Sequence, residues 1–394
     1  MTGAALEGLR VLELARVLAG PWIGQTLADL GAEVIKVESP DGDETRQWGP
    51  PFLEVEGERS AAYFYACNRG KRSIVADFAT EEGRALVRRL AAQSDVLIEN
   101  FKVGGLKKYG LDYEQLSPLN PRLVYCSVTG FGQTGPYAPR AGYDFLIQGM
   151  TGYMDVTGDP AGPPQKVGVA ITDLFAGLYG VVAIEAALLQ RERSGRGQHV
   201  DIALFDCLGA ALANQALNYL ASGVPPRRMG NAHPNIAPYQ TFPVADGHVI
   251  VAVGNDGQFA RLCATLGLAG VADDALFASN AARVANRAAL EALIAERTSR
   301  WTRAALLAAL GAATVPAGPI NTVADLFSDP QFVARDMAIR PAGTPGVRTP
   351  IVMSDSALRL DRRAPNLGEH GAEILAELEA APPPPASPAD TEQG

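Results

Sequence analysis

The chain is poor in the residues that build metal centres and disulfide frameworks, with only 4 cysteines and 4 histidines in 394 residues. Cys67, Cys126, Cys207 and Cys263 lie far apart, with no CxxC and no Cys/His cluster. That pattern gives neither a zinc site nor a disulfide scaffold, and it fits a reducing cytoplasm. Basic residues are also in deficit, at 34 Lys+Arg against 43 Asp+Glu, a net charge of −9. A nucleic-acid partner, which calls for a broad basic face, is therefore not expected, although a local anion pocket is still allowed. Nor is there a charge-free apolar run of the roughly 20 residues that a membrane span needs. The most apolar stretch, Val167 to Leu189, is interrupted by Asp173 and Glu185. The opening MTGAALEGLRVLEL carries acid early and has no basic lead, so it does not read as a secretory signal. The expectation is a soluble cytoplasmic protein without membrane or nucleic-acid partners.

What is present is an ample core, since 47% of residues are hydrophobic, which excludes global disorder. At this length two domains are expected, or one large unit with an insertion. Leu9–Leu14, Glu33–Glu38, Arg72–Asp77, Asp95–Asn100 and Arg122–Thr129 read as strands, separated by helical spacing over Gly20–Leu30 and Thr80–Gln93. Alternating periods of this kind predict a doubly wound parallel sheet. A long helix is expected from about Asp173 to Arg193, then a strand over His199–Leu204 and a helix over Asp206–Tyr219. The predicted organisation is a large α/β domain over 1–222 and a small α+β domain over 223–322. Segment 323–380 returns to complete the large domain, and 381–394 form a disordered Pro-rich tail.

Common catalytic signatures are missing. No GxGxxG follows the first strand, and Gly70-Lys71-Arg72-Ser73 resembles the end of a phosphate-binding loop only by chance, because Tyr65 stands where a glycine is required. No GxSxG, HExxH or EF-hand loop occurs. His199 and His248 sit at strand starts, where structural roles suffice, while His233 lies in a polar, Pro-containing loop. Asp173 stands out, flanked by GVAI and LFA, because an acid is costly to bury unless something pairs with it or uses it. Either it caps the helix that begins there, or it is a nucleophilic carboxylate kept ionised by the helix N-terminus.

Eight markers occur in order along the chain: RVLAGP (16–21), DLGAEVIKVE (29–38), NRGKRSI (68–74), IENF (98–101), GFGQTGP (130–136), RAGYD (140–144), SGRGQ (194–198) and GPIN (318–321). With these markers the chain resembles the class III CoA-transferases over nearly its whole length. The resemblance implies two-domain chains interlocked as a homodimer, with coenzyme A as co-substrate, small carboxylic acids as partners, and no metal. It also implies that Asp173 is the nucleophile, forming an aspartyl anhydride and then an aspartyl-CoA thioester. Val17 and Leu18 would line the thioester end, Ala76, Asp77, Phe78 and Ala79 would face the adenine, and Asn100, Phe101 and Lys102 would form the next loop. Lys108 would contact a phosphate or be a solvated surface charge, and Arg140 would contribute to the same CoA site. Tyr143 would stand beside the pantetheine, with Asp144 as a supporting acid. Gly254 and Gly257 occupy the place of a mobile glycine cover, or of an ordinary strand-to-helix turn.

The departures from the family pattern matter. Leu18 and Ser39 replace a glutamine and an arginine of the formyl-CoA members. GDETRQWGPPF (42–52), PQKVGVAITDLFAGLY (164–179) and NAHPNIAPYQTF (231–242) resemble the succinyl-CoA:glutarate branch more. A dicarboxylate needs a cation for its far end, and Arg46 is the first candidate unless it is a structural ion pair, with His233 the second. Two other readings remain open. The related racemases need a histidine where this chain has Tyr143, and a phenol is a poor base at neutral pH. A CoA binder without turnover would have little use for Asp173.

Overall fold

The computed structural model describes residues 3–380. Six parallel strands form the main sheet: β1 (Arg10–Glu13), β2 (Glu33–Glu38), β3 (Arg72–Val75), β4 (Val96–Glu99), β5 (Val124–Thr129) and β6 (His199–Ala203). They lie side by side in the order β3-β2-β1-β4-β5-β6, so the order reverses direction between β1 and β4. Val11 is in register with Val34 on one side and Val96 on the other. Near-continuous aliphatic runs make these strands, because a parallel sheet covered on both faces has no polar side. On one face Leu12, Ile35, Leu97 and Tyr125 pack against Val87 and Leu90 of the helix Glu81–Ala92 and against Ile374 and Leu378 of the helix Gly371–Ala380. The chain rejoins this unit from Pro330, later than the expected start at 323.

The helix Ile171–Ser194 packs along the helix Ala19–Asp29. By length and composition it is apolar enough to cross a membrane, yet Ala176, Gly177, Gly180, Val181, Ile184 and Ala187 are buried. Gly177 allows the close approach: a Cβ there would meet the Trp22 ring at 2.9 Å. Gly31 (φ 107°) ends the Ala19–Asp29 helix in a conformation that L side chains rarely adopt.

A second compact unit comprises residues 152–166 and 213–329, and the first takes the remaining described residues. The second has its own antiparallel sheet of Tyr239–Val244, Gly247–Ala252 and Ala317–Pro319. Phe242, Val249, Val251, Phe259, Leu290, Ile294 and Leu306 form its core. The predicted boundaries shift for two physical reasons. The expected Asp206–Tyr219 helix is broken into Leu204–Ala211 and Ala213–Ser222, because Ala213 adopts φ 45° and turns the chain out early. Residues 152–166 join the second unit through Gly230 N–H donating to Gly158 O (3.1 Å) and Arg228 to Asp155 (2.9 Å). The expected tail 381–394 lies outside the described residues.

Candidate active site

In a doubly wound sheet, loops leave in opposite directions where the strand order reverses, and a crevice opens at the carboxyl ends of the strands. Here the crevice lies between β1 and β4. A reciprocal pair of hydrogen bonds pins its two sides together. Arg16 N–H donates to Asn100 Oδ1 at 2.9 Å, and Asn100 Nδ2 donates back to Arg16 O at 2.6 Å. A cleft of about 410 Å³ opens above this pin. Its walls come from the loop after β1 (Arg16, Val17, Leu18, Ala19), the loop after β4 (Asn100 to Val103, Gly105, Lys108, Tyr109) and the end of β5 with its Gly-rich loop (Thr129, Gly130, Arg140, Tyr143). Asp173 stands in the same cleft.

Nine of the sequence-derived candidates therefore meet: Val17, Leu18, Asn100, Phe101, Lys102, Lys108, Arg140, Tyr143 and Asp173. Asn100 contributes through the pin, since both ends of its amide are taken by Arg16. Arg16, Lys102, Lys108 and Arg140 make the cleft cationic. Arg16 faces Glu44 at 2.9 Å. Lys108 Nζ instead rests 4.6 Å above the Tyr109 ring, and Arg140 rests 4.6 Å from that of Tyr137. Cations lying on aromatic faces keep their charge available to an incoming anion.

Asp173 sits in the first turn of the Ile171–Ser194 helix but does not cap it. The residue before the helix is Ala170, which makes no side-chain cap. Asp144 does the capping from outside, its Oδ1 accepting from Thr172 N–H at 2.9 Å while Oδ2 accepts from Gln148 at 2.8 Å. Among the described residues Asp173 accepts no hydrogen bond. Burial, and then the like charge of Asp144, push its carboxyl up to about 7. The expectation that the helix terminus keeps it ionised thus meets two opposing effects, burial and the Asp144 charge.

Sequence reasoning missed Tyr63 and Trp48. Tyr63 lies in the helix Ala62–Cys67, where burial and then the charge of Asp173 push its phenol up to about 12. Its ring meets Trp48 edge-on at 5.4 Å. The aromatic run immediately before NRGKRSI was the available signal.

Arg46 is the plain correction. It is 6% exposed, and its fork is engaged with Glu38 at 2.8 and 2.7 Å. Its remaining contacts are Ser60 (3.3 Å), Pro365 O (3.1 Å) and the Phe64 ring (3.7 Å). A guanidinium so committed is a structural ion pair joining the chain's two ends, not a free grip for a substrate carboxylate. Ala76, Asp77, Phe78 and Ala79 do not line the cleft. Ala79 N–H is already taken by Asp77 Oδ1 at 2.8 Å, and Phe78 backs the wall through Phe101 and Tyr109 at 6.1 and 6.0 Å.

His233, Gly254 and Gly257 belong to the second unit. His233 Nδ1 accepts from Asn235 N–H at 3.1 Å, while burial and the nearby Arg287 lower its pKa. Gly254 and Gly257 flank Asn255, which caps the helix Asp256–Thr265 by accepting from Gln258 N–H at 2.9 Å. That is the geometry of a strand-to-helix turn.

Fold and cleft together define an α/β protein with a buried carboxylate, Asp173, in a crevice lined by cations, a setting suited to an anionic ligand. The chain belongs to CoA-transferase family III, whose model matches residues 6–371. It is 60% identical over 382 residues to the succinate–glutarate CoA-transferase of Agrobacterium fabrum, covering 95% of this chain and 96% of that one. It is 40% identical to the human succinyl-CoA:glutarate CoA-transferase, over 95% of this chain and 86% of the other. A crystal structure of a CAIB/BAIF family protein from Brucella suis superposes with a TM-score of 0.87 at 68% identity, covering 95% of this chain and all of that one. The protein is a CoA-transferase, with coenzyme A thioesters and carboxylic acids as its substrates.

Proposed function

We propose that the protein moves CoA between succinyl-CoA and glutarate or a dicarboxylate of similar size, with Asp173 as nucleophile. The observation that carries this reading is the Asp173 carboxylate, without a hydrogen-bond partner among the described residues, beside the cations of the cleft. The cleft suits CoA: Lys102, Lys108 and Arg140 would meet its phosphates, while Val17, Leu18, Val128 and Leu204 offer apolar walls toward Asp173.

The chemistry follows from that placement. An Asp173 oxygen attacks the thioester carbonyl carbon, the C–S bond breaks, and CoA leaves as thiolate with the bonding pair. The result is a mixed anhydride. The thiolate then attacks the aspartyl carbonyl carbon, the anhydride C–O bond breaks, and succinate departs as carboxylate. The acceptor carboxylate attacks the aspartyl thioester, and the same two steps run in reverse. Thioester is exchanged for thioester, so the reaction needs neither ATP nor a metal. Activated intermediates of this kind must be shielded from water.

We further propose a cytoplasmic, interlocked homodimer. Leu178, Val182 and Leu189, all exposed on one long helix, are supporting features, since a second copy would cover such a strip. Light scattering at micromolar concentration tests it, and a monomer would refute it.

The decisive experiment incubates the enzyme with succinyl-CoA and an equal mixture of glutarate, malate, itaconate, 3-hydroxy-3-methylglutarate, oxalate and formate. The acyl-CoA pool is then read by mass spectrometry. Glutaryl-CoA as the leading product without ATP, absent with Asp173→Ala, supports the reading. A pool that remains succinyl-CoA overturns the substrate assignment.

A further inference from the structure

The wall of the cleft beside Asp173 is held in a conformation that its own sequence disfavours. Val17 has φ 70°, a left-handed backbone that is strained for a β-branched residue. Such strain persists only where the surroundings over-determine it. Here the surroundings are four buried side chains. Both Asp43 carboxylate oxygens accept from Val17 N–H, at 3.4 and 3.3 Å. Cys67 Sγ–H donates to Val17 O at 3.4 Å. Lys36 Nζ donates to Ala15 O at 2.8 Å, and Lys71 Nζ donates to Pro21 O at 2.9 Å. Four backbone groups within one seven-residue segment are therefore fixed from the interior.

The gripping side chains are themselves locked. Lys36 bonds Asp43 at 3.0 Å and Glu13 at 3.1 Å, and Lys71 bonds Glu13 at 2.8 Å, with all of these side chains inaccessible to solvent. Thr45 adds two hydrogen bonds to Asp43, at 3.0 and 2.7 Å. Burial alone would raise the Asp43 carboxyl, but the Lys36 charge and Thr45 hold it below its ordinary value. Burial pushes Cys67 up to about 12, so it remains a thiol donor. A buried ion cluster is weak evidence for stability. Four of its contacts reach the segment that lines the cleft.

We propose that Asp43, set in place by Lys36 and assisted by Cys67, is a positioning residue that clamps Val17 left-handed. The cleft wall then stands in place beside Asp173 before the acyl-CoA arrives. The kinetic part rests on the transferase reading; the conformational part does not.

The test is a cycle of Asp43→Asn with Val17→Gly, because glycine adopts φ 70° without strain and makes the clamp redundant. Asp43→Asn should lower kcat for succinyl-CoA-dependent transfer about 10-fold or more in the parent, and less than about 3-fold in the Val17→Gly background. Equal losses in both backgrounds, or no loss in the parent, overturn the clamp. Hydrogen exchange of a peptide spanning Val17 is the readout independent of activity. Its protection should fall by at least about 10-fold in Asp43→Asn, and unchanged protection overturns the proposal even if transfer is lost. Should Asp43→Asn fail to fold, Cys67→Val and Cys67→Ser replace it. Only the valine, which lacks a donor, should lower kcat and protection, and equal behaviour of the two variants overturns the proposal. A parent enzyme with no transfer to any acid would bring down the transferase reading, with exchange still deciding the clamp.

Discussion

The two ends of the main sheet carry two different hollows. At the amino ends of the strands a hollow of about 710 Å³ is lined by Arg10, Glu33, Arg72, Asp95, Arg359 and Glu377. At the carboxyl ends the Asp173 cleft is smaller, about 410 Å³. The larger hollow also holds more charge, but its charges satisfy one another. Arg10 meets Glu33 at 3.1 Å, Arg72 meets Glu33 at 2.5 Å and Glu377 at 2.8 Å, and Arg359 meets Glu7 at 3.2 Å. In the cleft, Lys108 and Arg140 lie on aromatic rings, and Asp173 is desolvated with no hydrogen-bond partner among the described residues. Size and charge do not mark a site. Reactive groups held apart from their natural partners do, because only those have interactions left to give a substrate.

Four experiments would break or sharpen this contrast. The largest effect belongs to Asp173→Ala, which should reduce transfer on the order of 10⁴-fold while free CoA still binds by calorimetry. Loss of binding together with activity would instead make Asp173 a folding residue. Next, Lys108→Ala should raise KM for succinyl-CoA about 10-fold with kcat little changed, and the difference should shrink at high salt. A fall in kcat alone would remove it from the phosphate role.

Third comes pH. Because the Asp173 carboxyl is pushed up to about 7, its reactive anion grows as pH rises through that value. The acid limb of kcat/KM for the free enzyme should therefore lie near 7. Asp144→Asn removes the like charge but keeps an acceptor for Thr172, and it should move that limb to lower pH by about half a unit to one unit. The same linkage fixes the sign for stability. A carboxyl raised on folding favours the folded state at low pH, and this contribution is lost as pH climbs through 7. Asp173→Asn should accordingly raise the melting midpoint at pH 8 more than at pH 5. The smallest effect should come from the other hollow, where Arg10→Gln should leave transfer within about 2-fold and reduce stability by less than about 1 kcal/mol. A 10-fold loss of transfer would show that the two ends communicate.

Much of the fold was legible in the chain. Each strand of the main sheet sits within a residue or a few of its expected span, because aliphatic runs and helical spacing are local signals. The short pieces were not legible: the hairpin Phe52–Val55 with Glu58–Ala61, and the helix Asp144–Met150 that carries the capping acid. They are brief and half-buried, and their stability comes from what they pack against. For the site, the nine residues that meet in the cleft lay in the loops after β1, β4 and β5 and at the start of the long helix, where motif order pointed. The assignment of Arg46 failed because nothing local shows that Glu38 and Pro365 O surround it.

The sequence by itself determined the alternation of strand and helix, the family to which the chain belongs, and Asp173 as the acid requiring an explanation. These are properties of residue order, readable over a few turns of chain. Only the tertiary structure decided which charges are free. It brought Glu38 to Arg46, Asp144 to the helix that Asp173 might have capped, and Glu13, Lys36, Asp43, Cys67 and Lys71 to one short segment around Val17. Whether a charge is a structural tie or a reactive group depends on desolvation and on partners tens to hundreds of residues away, and those are fixed only once the strands have found their neighbours.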